Sequence, residues 1–397
     1  MEEKKNSNLV EKRSSKDILA QAKKRRDELK KLNDGKKPSI DDGRRKACEF
    51  GDGASDHLVP LKALDLKACN SVSELVNAMK YCSFGARSMG EAADVLYEMT
   101  VDPKLKVVGT FSGAMTIAKM GLVICDMIED GMIDAMVTTG ALMAHGFVEA
   151  AGMKHFKYNW DMGDKVLYQK GYDRVYDTLE LERNLDDAEE IFAEVVHSFE
   201  DKQNLCSYKI CRALGKYLHE HTTGRGILKS AYECKVPVYI PAFTDSELGL
   251  NFGVYRRRMK LEGAKPLVFN PFLDLEHYTN FALKAEEMGI FTIGGGVPRN
   301  WAQQVGPYLE IVDERVGTGG GFKRFKYAVR ICPEPVHWGG LSGCTYSEGV
   351  SWGKFVPSSE GGKQVEVYSD ATIAWPIIVK AVQERLNEKK QNPTEGK

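Results

Sequence analysis

Short apolar runs alternate with helical stretches along most of the chain from about residue 46 onwards. The runs that indicate strands are LKVVGTFS (105–112), AMVTTGA (135–141), VPVYIPAF (236–243), PLVFNPF (266–272), GIFTIGGG (289–296), RFKYAVRIC (324–332) and QVEVYSDATIAWP (364–376). Several of them are apolar throughout, which is typical of strands that are buried on both faces. The pattern therefore predicts an α/β fold in which helices flank a parallel sheet.

Helical spacing of apolar residues predicts the connections between these strands. Residues 114–130 are expected to form a helix that returns to the next strand, which makes a βαβ unit. Residues 184–221 are expected to form a long helical insertion, because Leu185, Ile191 and Val195 recur at helical spacing. Polar residues from 387 to 397 predict a C-terminal tail.

The N-terminal segment differs from the rest in charge. The 397 residues carry 55 Lys and Arg against 56 Asp and Glu, a formal net charge of −1. Residues 1–45 hold 15 basic and 9 acidic side chains, so the segment carries +6 and the remainder −7. Ser14 and Ser15 are candidate N-caps for a helix through DILAQAKKRRDELKKL. We expect a basic helical extension over 1–45 and one folded body over 46–386.

Composition excludes several classes of protein. A near-neutral chain gives no reason to expect binding to nucleic acid or to an acidic membrane. No apolar run approaches the roughly 18 residues of a membrane span, and the N-terminus lacks the apolar stretch of a secretory signal. Nine scattered cysteines without a CxxC pair predict reduced thiols in a cytoplasmic enzyme. No ligand spacing suggests a metal site, and Cys206 and Cys211 fit neither a zinc nor a redox pair.

Small and polar residues follow the predicted strands, at the edge where ligands bind in open parallel sheets. These strand ends carry Ser112, Gly113, Ala114 and Met115, then Thr138, Thr139, Gly140 and Ala141, then Thr244 and Asp245, then Gly294, Gly295 and Gly296, and finally Asp370 and Ala371. Small residues let the backbone approach a pyrophosphate, and aspartates suit ribose hydroxyls. The set predicts a nucleotide site, although neither GxGxxG nor a P-loop occurs.

The segment Glu348 to Lys354 carries the most specific chemistry. Burial beside Trp352 and between small residues would lower the pKa of Lys354 and leave a neutral amine nucleophile. The indole can stack on a cationic substrate, and Glu348 can pair with an ammonium group. The alternative is an ordinary solvated lysine.

Five motifs identify a family. SEGVSWGK (347–354) and VYSDATIAWP (367–376), together with VTTGA (137–141), PAFTDSELG (241–249) and IGGGVPRNW (293–301), resemble deoxyhypusine synthase. They match in the same order over roughly residues 100–380. The resemblance implies that family's fold: a Rossmann-like parallel sheet flanked by helices, assembled as a homotetramer with NAD at dimer interfaces. The basic N-terminal helix resembles the ball-and-chain segment that covers the active site of a neighbouring subunit.

The resemblance also implies an activity. NAD oxidises spermidine, Lys354 takes the aminobutyl group as an imine, and an acceptor amine, a lysine of the hypusine-bearing translation factor, then receives it. On this basis the polyamine site contains Glu348, Trp352, Asn300, Gly339 and Gly340. The implied NAD-binding residues are Ser112, Gly113, Ala114, Met115, Thr138, Thr139, Gly140, Asp245, Gly295, Asp370 and Ala371.

Several positions depart from the family pattern. Asn300 replaces a histidine, and an amide cannot act as a general base near neutral pH. Other positions that are acidic in the family carry Ala144, His145, Leu250, Trp338 and Leu341. His145 either replaces the missing histidine in proton transfer or only packs. His337 is interpreted as lining its loop, and His219 and His221 as solvated.

Two further functions stay open. The same mechanism can use a small acceptor such as putrescine, which would make homospermidine. Alternatively, the chain is a non-catalytic subunit that activates a paralogue, a hypothesis that Asn300 and Leu250 favour and that the intact Lys354 opposes.

Overall fold

A computed structural model of the chain describes residues 14–33, 50–199, 204–318 and 321–391. The chain divides into two units, residues 1–60 and 61–397. In the first unit, the hydroxyl of Ser14 accepts a hydrogen bond from the backbone N–H of Asp17 at 3.3 Å. In return, the backbone N–H of Ser14 donates to the side-chain carboxylate of Asp17. This reciprocal cap starts the predicted basic helix. The remaining predictions for residues 1–13 and 34–49 lie outside the described residues.

The described part of the chain forms fifteen α-helices and eleven strands. The helices are α1 (Ser15–Asn33), α2 (Val72–Met79), α3 (Phe84–Val101), α4 (Gly121–Glu129), α5 (Gly140–Ala150), α6 (Asp164–Gln169), α7 (Glu182–His197), α8 (Ser207–His221), α9 (Ile227–Glu233), α10 (Glu247–Leu261), α11 (Phe272–Lys284), α12 (Gly296–Gln303), α13 (Val305–Val316), α14 (Tyr346–Val350) and α15 (Ala371–Gln391). The strands are β1 (Leu105–Phe111), β2 (Ala135–Thr138), β3 (Phe156–Lys157), β4 (Tyr172–Val175), β5 (Thr178–Leu181), β6 (Asn204–Leu205), β7 (Val238–Tyr239), β8 (Val268–Phe269), β9 (Glu287–Ile293), β10 (Phe325–Ile331) and β11 (Lys363–Val367).

The main sheet has six parallel strands in the order β11-β10-β9-β1-β2-β7. The chain moves outward from β1 through β2 to β7, then returns to the other side of β1 and moves outward again through β9. This is the doubly wound order, and its reversal lies between β1 and β9, where such folds bind ligands. The predicted Rossmann-like α/β class is confirmed.

Helices cover both faces of this sheet, which explains the continuous apolar runs. On β1, Val107 and Phe111 pack into a core with α3, α4, α5 and α15, whereas Val108 packs into a second core with α11, α12 and α13. Neighbouring β9 alternates in the same way, with Phe291 in the first core and Ile290 in the second. Apart from Lys106 and Glu287 near their starts, the residues of these two strands are buried, and polar alternation is absent.

Three predicted elements are wrong in extent. The run 364–376 stops as a strand at Val367, and α15 begins at Ala371, because Asp370 accepts hydrogen bonds from the N–H and hydroxyl of Thr372. The helix predicted over 114–130 begins only at Gly121, after a turn in which Lys119 has φ +62°.

The third is the insertion over 184–221, which forms two helices instead of one. Strand β6 separates α7 from α8 and pairs with β8, so the run 266–272 contributes to a two-stranded sheet outside the main one. The carboxylate of Asp274 then caps α8 by accepting from the backbone N–H groups of Ser207 and Tyr208. These tertiary partners lie far apart in sequence, which local periodicity does not report.

The described residues also bear on the expectations about cysteines and membrane spans. The eight cysteines of the described residues are all free thiols. Across the same ranges, no helix has both the length and the apolar character needed to span a bilayer. Helix α15 continues to Gln391, past the predicted start of the tail at residue 387.

Candidate functional site

The carboxyl ends of β1 and β9 meet at the reversal of strand order. Ser112 donates its backbone N–H to Ile293 at 3.1 Å, and its hydroxyl is hydrogen-bonded to both the carbonyl and the N–H of Gly295. A Cβ at Gly295 would lie 2.6 Å from the Cα of Ser342, so only glycine allows this loop to approach its neighbour. Ser112 and Gly295, which are both predicted for the nucleotide site, are 183 residues apart in the chain. The structure brings them into direct contact.

The end of β2 adjoins the same loop. Thr139 caps α5 by accepting from the N–H of Leu142, and its hydroxyl donates to the carbonyl of Gly113 at 2.5 Å. Gly113 has φ +70°, a conformation that favours glycine. Thr138 and Gly140 flank this contact in the chain and are both buried. Ala114 and Met115 continue the turn from Gly113, where the carbonyl of Met115 accepts from the N–H of Met120.

The two predicted ribose-binding aspartates lie at strand-to-helix turns. Asp245 is exposed, two residues before α10, and its N–H donates to the carbonyl of Ala242. Asp370 caps α15 through Thr372, with Ala371 as the first helical residue. The capping role of Asp370 uses one carboxylate oxygen, Oδ1, and leaves Oδ2 for another partner.

Lys354 lies in a cavity of about 360 Å³ between α12, α14 and the loop of residues 336–345. Its backbone is held against β10, because its carbonyl accepts from the N–H of Phe325 at 2.9 Å. Its side chain is largely buried, with 9% of the residue exposed. The alternative interpretation of Lys354 as a solvated surface lysine is wrong.

Five neighbours define the surroundings of the lysine amine. Nζ donates to Oδ1 of Asn300 at 3.1 Å and lies 5.7 Å from the centroid of the Trp352 ring. Burial lowers the pKa of Lys354, and the nearby Arg299 adds to this, while Cys344 and Glu348 oppose it. A lowered pKa increases the fraction of neutral amine at a given pH, which is the form that attacks carbonyl and imine carbons.

All five residues predicted for the substrate site line this cavity. The described residues around it are Asn300, Gln303, Gln304, Val336, Gly339, Gly340, Leu341, Cys344, Thr345, Glu348, Gly349, Trp352 and Lys354. Glu348 is the carboxylate of this set. Of the positions that depart from the family pattern, Asn300 and Leu341 line the cavity, whereas Trp338 and Leu250 are exposed outside it. His337 is an exposed residue of the short helical turn before Gly339.

Sequence reasoning missed the two arginines that hold the cavity loop. Arg299 donates to the carbonyls of Leu341 and Cys344, and Arg330 donates to those of Ser342 and Cys344. Arg330 is 1% exposed. The position of Arg330 inside the otherwise apolar stretch of residues 328–332 is a usable signal, because a buried charge requires partners.

Tyr346 joins this loop to the sheet, and its removal gives a testable expectation. The hydroxyl donates to the carbonyl of Val329 at 3.0 Å and lies 3.1 Å from Oγ1 of Thr292. Burial raises the pKa of Tyr346 to about 12, so the hydroxyl keeps its proton. Tyr346→Phe is expected to lower the free energy of unfolding by about 1–2 kcal/mol in urea titrations. An unchanged unfolding midpoint would contradict this.

His145 is not among the residues that line the cavity. It lies on α5, buried, with Nδ1 3.1 Å from Oε2 of Glu180. Burial of Glu180 opposes its ionisation, but contacts with His145, His155 and Asn184 hold the pKa of its carboxyl well below its usual range. His145 therefore has a buried anionic partner of its own. In contrast, His219 and His221 are exposed, as expected.

Comparisons with known proteins agree on one family. The family model described as deoxyhypusine synthase matches residues 74–382. The protein named probable deoxyhypusine synthase 1 of Methanosarcina mazei is 37% identical over 341 residues, which is 86% of this chain and all of that protein. A deoxyhypusine synthase-like protein of Elusimicrobium minutum is 30% identical over 80% of this chain and 82% of its own length.

A solved structure supports the fold. The crystal structure of a proposed deoxyhypusine synthase from Entamoeba histolytica superposes with a TM-score of 0.52 at 13% identity. The alignment covers 81% of this chain and 96% of the other.

Proposed function

Because the chain belongs to the deoxyhypusine synthase family, we propose that it transfers an aminobutyl group from spermidine, through an imine on Lys354, to a lysine of the hypusine-bearing translation factor. The observation that carries the proposal is the buried amine of Lys354, with its lowered pKa, inside a cavity that also presents a carboxylate and an indole. A solvated lysine would stay protonated and would not attack an imine carbon near neutral pH.

NAD is the proposed hydride carrier, and the residues at the strand ends fit it. Gly113 at φ +70° and the close packing at Gly295 leave backbone rather than side chains at the reversal point. The hydroxyls of Ser112 and Thr139 hold the two loops in this arrangement through their bonds to Gly295 and Gly113. When bound, NAD supplies the acceptance and later return of a hydride.

The residues that line the cavity have separate roles in the proposed transfer. The neutral Lys354 amine would add to the imine carbon of the oxidised donor, and the bond from that carbon to the diaminopropane nitrogen would then break, with the two amine protons of Lys354 passing to the leaving amine. Asn300 accepts one N–H of Lys354 and so positions the amine, but it cannot remove a proton as a base. Glu348 pairs with the free ammonium end of the aminobutyl chain, and Trp352 covers its methylene groups.

A second candidate is supported by Leu341, which lines the cavity at a position that is acidic in the family pattern. An apolar wall there reduces the attraction for a multiply charged donor or acceptor, which favours transfer to a small amine such as putrescine.

A homotetramer is proposed from family membership alone, and light scattering of the purified chain tests it. The cytoplasmic location stays a prediction.

One incubation tests the proposal. Purified protein is mixed with NAD and spermidine labelled in its aminobutyl part, and then with either the translation factor or putrescine. We expect label on a lysine of the factor, together with release of diaminopropane. Labelled homospermidine would support the second candidate instead. If neither acceptor is labelled and no NADH forms, both catalytic proposals fail and the non-catalytic subunit remains.

Asn300→Asp tests the electrostatics around the amine. A carboxylate within hydrogen-bonding distance of Nζ favours the ammonium form and raises the pKa of Lys354. We expect borohydride trapping of the imine at pH 7 to slow by about 10-fold or more, with recovery at higher pH. Asn300→Ala removes the acceptor without adding charge and serves as the control. Identical pH profiles for the two variants would contradict the expectation.

A further inference from the structure

A second cluster of titratable side chains lies apart from the Lys354 cavity. His145 on α5, His155 in the turn after α5, and Glu180 on β5 converge there. Nδ1 of His145 and Nε2 of His155 lie 3.1 Å and 2.6 Å from the same oxygen, Oε2 of Glu180, and all three atoms lie within 4.8 Å of one another. The exposed fractions of the three side chains are 9%, 0% and 0%.

Hydrogen bonding leaves one of these atoms unexplained. Nε2 of His155 is fully buried and has no hydrogen-bond partner within the described residues, because its N–H direction is misaligned with Oε2 of Glu180 despite the short distance. Buried polar atoms of this kind are uncommon and call for an explanation. The three side chains bring one ligand atom each within 4.8 Å of one another, which is a spacing that metal ligands can adopt.

The other oxygen of Glu180 is already engaged, which orients the carboxylate. Oε1 accepts from Nδ2 of Asn184 at 2.9 Å and from the N–H of Leu181 at 3.0 Å. Asn184 also donates to the carbonyl of Lys154, so its amide is fixed in turn. Outer hydrogen bonds of this type hold ligating carboxylates in place, and here they leave Oε2 directed at the two histidines.

We propose that Nδ1 of His145, Nε2 of His155 and Oε2 of Glu180 bind one divalent transition-metal ion of the zinc class. Two imidazoles and one carboxylate are a common zinc ligand set, with water in the fourth position. Ligand bonds of about 2.0–2.1 Å place neighbouring ligand atoms about 3.3 Å apart in a tetrahedron. The contact of 3.1 Å between His145 and Glu180 is close to that value, and the contact of 2.6 Å between His155 and Glu180 has to open by about 0.7 Å. The ion joins α5 to the small antiparallel sheet and is independent of the proposed transfer.

Lys119 competes with the metal in this arrangement. Its Nζ lies 2.7 Å from Nδ1 of His155 and 3.2 Å from Oε1 of Glu149. An ammonium group can only donate, so it holds the proton of His155 on Nε2, the atom that must bind the ion. Metal binding therefore displaces that proton and shifts Lys119 towards Glu149. Removal of the Lys119 amine should tighten binding.

The test measures zinc binding to the full chain after chelator treatment, by calorimetry and by competition with a chromophoric chelator. His145→Ala, His155→Ala and Glu180→Gln are each expected to lose one equivalent of zinc per chain relative to the parent. The double variant His219→Ala/His221→Ala removes two exposed histidines and should keep that equivalent. Thiols are alkylated in all samples, so that cysteines contribute nothing to the difference.

Two further variants separate a metal site from a hydrogen-bonded cluster. Asn184→Ala should weaken zinc binding by about 10–100-fold, whereas Lys119→Met should tighten it. Zinc should also raise the thermal midpoint of the parent and leave that of Glu180→Gln, which is nearly isosteric, unchanged. The proposal is overturned if the ligand variants bind as much zinc as the parent, or if the parent binds none.

Discussion

Replacement of Lys354 with alanine is expected to abolish the borohydride-trapped imine and to reduce aminobutyl transfer by about 10³-fold or more, because no other group supplies the covalent step. The buried position of the amine, its contact with Asn300 and its lowered pKa are the basis of this expectation. NAD binding should stay near the parent value, since the strand-end residues are untouched. Mass spectrometry of the reduced protein and equilibrium dialysis of NAD measure the two quantities.

Two controls sharpen this experiment. Lys354→Arg keeps a positive charge but provides no neutral amine, since the pKa of a guanidinium exceeds about 12. It should therefore be as inactive as the alanine variant. Lys265→Ala removes an exposed lysine outside the cavity and should trap normally. Trapping that persists in Lys354→Ala would place the nucleophile on another residue.

The pH dependence follows from the direction of the shift. Burial lowers the pKa of Lys354 in the folded protein below its usual 10.5. The rate of trapping should therefore rise with pH and reach its plateau at a lower pH than it would for an exposed lysine. Between the folded and the unfolded pKa, the unfolded chain binds more protons, so the contribution of Lys354 to stability increases with pH in that window. At pH values below the folded pKa of Lys354, the amine is charged in both states, and its burial destabilises the folded protein to the full extent. Lys354→Met should therefore unfold at a higher temperature than the parent in that pH range.

The fold could be predicted where burial on both faces left a local signal. The runs at β1, β9 and β10 were recognised as strands because Val107, Val108 and Phe291 all face helices. Strand order was not predictable, since the reversal between β1 and β9 depends on pairing across more than 180 residues. The start of α15 was missed because the cap at Asp370 acts over only two residues within a run that resembles a strand.

Some features of the candidate site could be predicted from the sequence, and others could not. Lys354, Trp352 and Glu348 lie close together in the chain, so one segment indicated the cavity. The sequence leaves proton transfer and packing open for His145, whose partner Glu180 lies 35 residues away on a short strand of the inserted sheet. Hydrophobic periodicity does not indicate this contact. The two roles predicted for His145, proton transfer or packing, therefore do not include the carboxylate.

The loop that forms one wall of the cavity depends on buried charge. Arg330 emerges from β10 with 1% of its surface exposed, and its Nη1 donates to the carbonyls of Ser342 at 2.7 Å and Cys344 at 2.6 Å. Its Nη2 lies 3.2 Å from the carboxylate of Glu366, which also accepts from the backbone N–H of Tyr346. One buried guanidinium therefore donates to two loop carbonyls and balances the charge of a partly buried carboxylate.

Arg330→Met should consequently remove more stability than any exposed substitution. The variant leaves Glu366 without its cation and removes the Arg330 hydrogen bonds to Ser342 and Cys344, of which Cys344 keeps the one from Arg299, and the loss is expected to cost about 3–5 kcal/mol of unfolding free energy. Arg324→Met, which breaks the more exposed pair with Glu360, is the matched control and should cost about 1 kcal/mol or less. Denaturant titration compares the two, and Glu366→Gln added to Arg330→Met should recover part of the loss, because it removes the uncompensated charge. Equal midpoints for Arg330→Met and Arg324→Met would mean that the loop is held by Arg299 alone.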